Sequence, residues 1–161
     1  MPIRPCGAHD RDTILGIVNS AAEAYRGVIP ADRWHEPYME GTELDSELAA
    51  GVQFWGYEEG GRLLGVMGIQ SVDDVELIRH AYVLPGHQGM GIGGALLAHL
   101  RAGATSRLLV GTWADAEWAI RFYQGHGFTL AGRDRTARLL RTYWWIPERQ
   151  IETSVVLEGP A

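Results

Sequence analysis

Val83-Leu84-Pro85-Gly86-His87-Gln88-Gly89-Met90-Gly91-Ile92-Gly93-Gly94-Ala95-Leu96-Leu97 joins a strand-like run to a run with helical spacing, and five glycines fall between positions 86 and 94. Glycine allows successive peptide N–H groups to turn toward one point. A helix beginning there adds unpaired N-terminal amides and the positive end of its dipole. The stretch therefore reads as a cradle for an anion rich in acceptor oxygens, a pyrophosphate above all. One left-handed helix cap or one tight helix–strand contact would need fewer glycines.

Two phosphate-binding patterns fit these letters. Gly89-x-Gly91-x-x-Gly94 has the spacing of the dinucleotide fingerprint, which should open a βαβ unit and be followed about 20 residues later by an acidic residue ending the next strand. Here the run sits in mid-chain, the next strand (Arg107 to Val110) ends in Gly111-Thr112, and Asp115 already lies at a helix start. A nicotinamide site is disfavoured. Read as Gln88-x-x-Gly91-x-Gly93, the loop resembles the acetyl-CoA signature of the GNAT family of N-acetyltransferases, and Tyr82-Val83-Leu84-Pro85 resembles the family's fourth strand. Ala119-Ile120-Arg121-Phe122-Tyr123-Gln124-Gly125-His126-Gly127-Phe128 resembles its second motif, a helix ending in Tyr followed by Gly-Phe.

The resemblance implies a single acyl-CoA N-acyltransferase domain over residues 1–161, with a mixed, mainly antiparallel sheet of six or seven strands flanked by helices. It implies acetyl-CoA as co-substrate and a primary amine, on a small molecule or a protein, as acceptor. Gln88, Gly89, Met90, Gly91, Ile92, Gly93 and Gly94 would hold the pyrophosphate, with Ala81, Tyr82 and Val83 beside the pantetheine at a strand bulge. Tyr123 would protonate the departing thiolate, although it also lies on its helix's apolar stripe, where a tyrosine is often only core. Glu76 is the candidate base, acting through water, with His80, His35 and Glu36 as competitors. The family's usual polar residue seven positions before the tyrosine is here Ala116, so one CoA contact is lost or supplied by Asp115 or Arg121. A non-catalytic acetyl-CoA sensor would keep the cradle without turnover.

Bulk properties agree with one domain. A chain of 161 residues, 46% hydrophobic, is long enough to bury a core without staples. Cys6 is the only cysteine, which excludes an intrachain disulfide and a cysteine-rich metal site and fits a reducing compartment. No apolar run approaches membrane-spanning length, and no metal motif is present, so a cytoplasmic protein without a metal is expected. A net charge of −6 argues against a nucleic-acid partner and favours attraction of an amine. Tyr143-Trp144-Trp145 reads as a substrate wall or as a contact between two copies, leaving a homodimer open.

Periodicity predicts the remaining elements. Residues 1–5 alternate as a strand, and Ile14, Ile17, Val18 and Ala21 give a helix ending near Tyr25. Gly60-Gly61 turns a hairpin between Phe54–Tyr57 and Leu63–Met67, and Val75 to Leu84 adds a third antiparallel strand. The helix after the glycine loop makes the next strand parallel to the previous one. Asp115 is the expected cap of the following helix, Phe128 to Ala131 a short strand, Arg133 to Trp145 helical, and Ile151 to Leu157 the last strand.

Overall fold

The computed structural model describes residues 2–160. Its elements run β1 (Ile3–Pro5), α1 (Arg11–Ala21), α2 (Gly41–Ala49), β2 (Gln53–Glu59), β3 (Arg62–Val72), β4 (Val75–Val83), α3 (Ile92–Gly103), β5 (Arg107–Trp113), α4 (Glu117–Gly125), β6 (Thr129–Leu130), α5 (Arg133–Tyr143), α6 (Glu148–Glu152) and β7 (Ser154–Glu158). The strands form one sheet in the order β1-β2-β3-β4-β5-β7-β6. Every neighbouring pair is antiparallel except β4 and β5, which the α3 crossover makes parallel. The mixed, mainly antiparallel sheet of seven strands and its flanking helices match the fold expected.

Side chains alternate across the strands, so both faces of the sheet are apolar and both are covered. Leu64, Ile78, Leu108 and Val110 pack with Leu96, Leu97 and Leu100 of α3 and with Ala119 and Tyr123 of α4. Leu63, Val66 and Phe54 meet Ile14, Ile17 and Val18 of α1, while Val75, Leu77 and Leu109 meet Leu139, Leu140 and Tyr143 of α5. The stripe Ile92, Leu96, Leu97 and Leu100 fixes how α3 lies on the sheet, and hence where its N-terminus points.

Three expectations are corrected. The alternation from Ile151 belongs to two elements: Pro147 opens α6, whose Ile151 is buried against α5, and the strand begins only at Ser154. Asp115 does not cap α4, which starts at Glu117 with Ala116 at its N-cap and no side-chain cap bond. After Ala21 the first helix tightens into a 3-10 turn over Ala22–Tyr25. The expected strand start at residue 1 lies outside the described residues. No helix among the described residues is long and apolar enough to cross a membrane.

The geometry that makes a site is a break in strand pairing. β4 and β5 pair from Val75 and Arg107 only as far as Ile78 and Val110. Beyond that point β5 keeps its bonds to β7 on the other side, through Gly111 to Trp113, while β4 keeps its bonds to β3. The two strands part, leaving a gap at their carboxyl ends. β4 is also bulged: Val66 pairs with Tyr82 but Gly68 with Arg79, so His80 and Ala81 together oppose Met67. His80 takes a positive φ of 54°, uncommon outside glycine, though histidine is among the residues that adopt it more readily.

Far from the gap, Asp10 is buried at 5% exposure. It accepts two bonds from Arg4 at 2.9 and 3.0 Å and one from the Gly7 amide at 2.9 Å. The Arg4 hydrogen bonds, against an opposing desolvation cost, hold its carboxyl below the usual carboxylate range. A group depressed in the fold stabilises fully above its unfolded pKa, and that contribution is lost as pH falls through the lower folded value. Asp10→Ala is expected to cost about 2 kcal/mol near neutral pH, read as a lower urea midpoint, with the difference from wild type shrinking below about pH 4. A difference independent of pH would sink the assignment.

Candidate active site

The first helical amides of α3 have no partner within the helix. Its first intrahelical bond runs from the Ala95 N–H to the Gly91 carbonyl, at 3.0 Å, so the N–H groups of Ile92, Gly93 and Gly94 precede any acceptor. No side chain caps this end and no acidic residue stands in the first turn. Gly89 and Gly91 hold φ of 81° and 80°, and a Cβ at either would meet nothing within 4 Å, so glycine serves at both for its backbone conformation and the space beside the loop is open. The Gln88 side chain donates to the Val83 carbonyl at 3.2 Å and ties the loop to the end of β4.

That open space is one end of a cavity of about 560 Å³. Gln88, Gly89, Gly91, Ile92, Gly93 and Gly94 line it at the loop, and Ala81, Tyr82 and Val83 line it along the bulged strand. The cavity reaches Tyr123 at its other side, so the expected cradle, bulge and tyrosine face a common space. Met90 is the exception among the expected cradle residues: its side chain is 63% exposed and does not line the cavity, leaving only its backbone to serve there.

Tyr123 is held between Phe122 and Phe128, with ring centroids 5.1 and 5.7 Å away. Its residue is buried, yet no side chain or carbonyl among the described residues hydrogen-bonds its hydroxyl. Burial pushes its pKa well above that of a free phenol, and Tyr25 adds to the rise. The group therefore stays protonated at neutral pH and holds a proton on the cavity wall.

Glu76 is not brought to this space. It is the second residue of β4, at the end remote from the gap, and about four residues or 13 Å along the strand from His80. Its Oε1 accepts from the Thr105 and Ser106 amides, at 2.8 and 2.9 Å, and from the Ser106 hydroxyl, at 3.0 Å. Burial works against its charge, but these bonds outweigh it and hold its pKa below the usual range. A carboxylate so committed fastens the turn between α3 and β5, and the placement does not suit the base role expected of it. His35 and Glu36, the cap-region competitors, also lie outside the cavity wall; Glu36 is paired with Arg26. Ala116 is fully buried and offers no cofactor contact.

Tyr25 and His126 also line the cavity and were not anticipated, while His80 was expected only as a competitor for the base. Tyr25 comes from the 3-10 turn after α1, and its hydroxyl is pushed up to about 12 by burial. His126, in the second motif, packs so near Gly94 that a Cβ there would stand 2.9 Å from its Nε2, so Gly94 is a close-approach glycine. His80 lines the cavity beside the bulge. Only the letters His-Gly-Phe after the tyrosine hinted at His126.

A second cavity, about 150 Å³, opens on the gap. It shares Tyr25, Ile78, His80, Tyr82 and Gly111 with the first and is otherwise walled by residues such as Tyr38, Trp113 and Trp144. The aromatic triplet thus divides. Tyr143 is buried with its hydroxyl on Asp74 at 2.6 Å, Trp144 is a cavity wall, and Trp145 is fully exposed.

Residues 50–130 match the family model described as an acetyltransferase (GNAT) domain. No curated protein matches the chain in sequence. Among solved structures, the PaiA N-acetyltransferase of Thermoplasma acidophilum in complex with coenzyme A is similar over 99% of this chain and 98% of its own, at 15% identity and a TM-score of 0.72. The ribosomal-protein-S18-alanine N-acetyltransferase of Escherichia coli is similar over 98% and 92%, at 19% identity and a TM-score of 0.69. YncA of Salmonella typhimurium, solved with its cofactor acetyl-CoA, is similar over 81% and 80%, at 23% identity and a TM-score of 0.59. At these identities the structural likeness is one of fold.

Proposed function

The chain belongs to the GNAT acetyltransferase family, and from that premise we propose that it transfers the acetyl group of acetyl-CoA to a primary amine by direct attack on the thioester. One observation carries the reading: a single cavity runs from the unpaired α3 amides, past the bulge at His80, to Tyr123, and shares its wall with a second cavity at the β4–β5 gap. The glycine-loop amides from Gln88 to Gly94, Met90 included through its backbone, are suited to the pyrophosphate, since an acidic protein can bind an anion there without side-chain charge. The strand edge at Ala81, Tyr82 and Val83, unpaired on its β5 side, suits the amide groups of pantetheine. Tyr123 is the proton donor to the leaving thiolate.

The second cavity supports an amine approaching from the opposite side of the gap. Its walls join aromatic rings with the polar side chains of Arg79, Gln150 and Ser154, and no carboxylate among the described residues lines it, which suits an amine delivered as the neutral free base. The lone Cys6 fits work in a reducing compartment such as the cytoplasm.

The test is binding followed by turnover. Calorimetry should detect acetyl-CoA but not NAD, and thiol release from acetyl-CoA should depend on added tyramine, spermidine or an alanine-initiated peptide. Absence of acetyl-CoA binding, or release that no amine accelerates, would defeat the proposal.

A further inference from the structure

We propose that His80 is the base that takes the proton of the attacking amine and that Glu47, on α2, is the residue that positions it. The proposal rests on the acetyl-transfer reading, since it assigns roles within that reaction. His80 is one of five residues common to both cavities, and the only one of them whose side chain carries an imidazole, the commonest general base. It stands where an amine entering from one side would meet a thioester held on the other.

The ring is placed by three features. The bulge gives His80 a left-handed backbone, φ 54°, which turns its side chain out of the strand's ordinary alternation. Phe54 and Tyr82 stack on it at interplanar angles of 21°. Its Nε2 lies 2.8 Å from Oε1 and 2.7 Å from Oε2 of Glu47. Glu47 Oε1 is also 2.8 Å from Arg79 Nη2, and Arg79 Nη1 donates to Gln70 at 3.1 Å. Glu47 is 15% exposed in its side chain, and burial alone would push its pKa up. The His80 hydrogen bond and the nearby positive charges outweigh that, keeping it an anion.

A carboxylate on Nε2 requires the proton of the neutral ring to sit there, which leaves Nδ1 as the free lone pair. No described residue hydrogen-bonds Nδ1. The amine nitrogen adds to the thioester carbonyl carbon, its N–H proton passes to Nδ1, and the C–S bond breaks with its electron pair leaving on sulfur. Tyr123 protonates that sulfur, giving an amide and free CoA; His80 then releases its proton to water and Tyr123 recovers one. The Glu47 charge stabilises the imidazolium formed in between. The other titratable groups around His80 are Glu43, also on α2, whose carboxyl burial raises, Arg79 and Tyr82 on β4, and Tyr25 and Tyr38 from the segment between α1 and α2.

The test uses the full chain, acetyl-CoA, and the fastest of the three amines named above. His80→Asn keeps a residue that tolerates the left-handed backbone but removes the base. It should lower kcat by about 10²–10⁴-fold, remove from the kcat/KM pH profile the acid limb that belongs to the enzyme, so that only the rise set by deprotonation of the amine itself remains, and leave acetyl-CoA affinity unchanged. Glu47→Gln should keep that limb but move it to lower pH, with kcat down about 10- to 100-fold, and Glu47→Asp should recover part of the loss. Independently of turnover, 15N NMR at mildly alkaline pH should find the His80 proton on Nε2. A wild-type pH profile in His80→Asn, or a proton on Nδ1, overturns the base assignment. Glu47 variants that lose thermal stability while their pH profile stays put overturn the positioning role. Wild-type protein that fails to bind acetyl-CoA would count against acetyl transfer itself, and the tautomer measurement would still test the pair.

Discussion

Tyr123→Phe is expected to lower kcat by about 10²–10⁴-fold while leaving thermal stability and acetyl-CoA affinity nearly unchanged. The separation follows from how the side chain is held. Its ring packs with Phe122 and Phe128 in the core between α3, α4 and the sheet, and phenylalanine keeps that packing. The hydroxyl has no hydrogen bond to lose among the described residues. What disappears is a proton beside the position where the thiolate leaves. A phenol whose pKa is raised gives that proton up reluctantly to a solvated thiolate, but burial raises the basicity of the departing sulfur as well, so the transfer is matched inside the closed cavity. Steady-state kinetics and calorimetry on the same preparations decide it. Turnover within twofold of wild type would leave Tyr123 as a core residue.

Gly91→Val should abolish the stabilisation that acetyl-CoA confers. At a hundredfold excess over Kd, a ligand that binds only the native state adds about 2.7 kcal/mol, or about 5–10 °C of Tm for a domain of this size. Gly91 is the N-cap of α3 at φ 80° and lines the cavity, and a side chain there would project into open space beside the loop. Valine also strains the left-handed backbone, so the ligand-free Tm will fall, and the informative quantity is the ligand-induced shift measured against each protein's own baseline. A folded variant with the full shift would mean that the loop does not cradle the cofactor. Gly93 is a weaker probe, because a Cβ there would meet the Phe122 ring at 3.4 Å instead of open space.

The fold was legible wherever a local rule suffices. The glycine loop, the Gly60-Gly61 hairpin and the helical stripe of α3 are local patterns, and the parallel β4–β5 pair follows from having a helix between them. Ile151 and Glu152 failed because a five-residue helix presents too few positions to separate a period of 3.6 from one of 2. Glu76 failed for a different reason. Its strand was evident, but which end of the strand meets the cofactor depends on register against β5, and the Thr105 and Ser106 amides that claim its carboxylate arrive from 29 and 30 residues away. His80 was visible as a histidine on that strand, while its partner Glu47 lies 33 residues upstream on a helix whose packing no local pattern specifies. The bulge needs one extra residue in β4 relative to β3, a count that becomes meaningful only once the two strands are paired.

The gap where β5 leaves β4 for β7 is bordered by backbone on both sides, and its width is set by where hydrogen bonds stop. The side chains over the second cavity, Tyr38 from the segment before α2 and Trp144 from the end of α5, stand on elements that take no part in that break. On the proposed reading, donor and acceptor are thus housed by separable parts of the molecule. Mutational drift at the acceptor wall can change which amine is admitted while the slot and the cradle stay fixed, so an acetyl-transfer machine built this way can acquire new clients without being rebuilt.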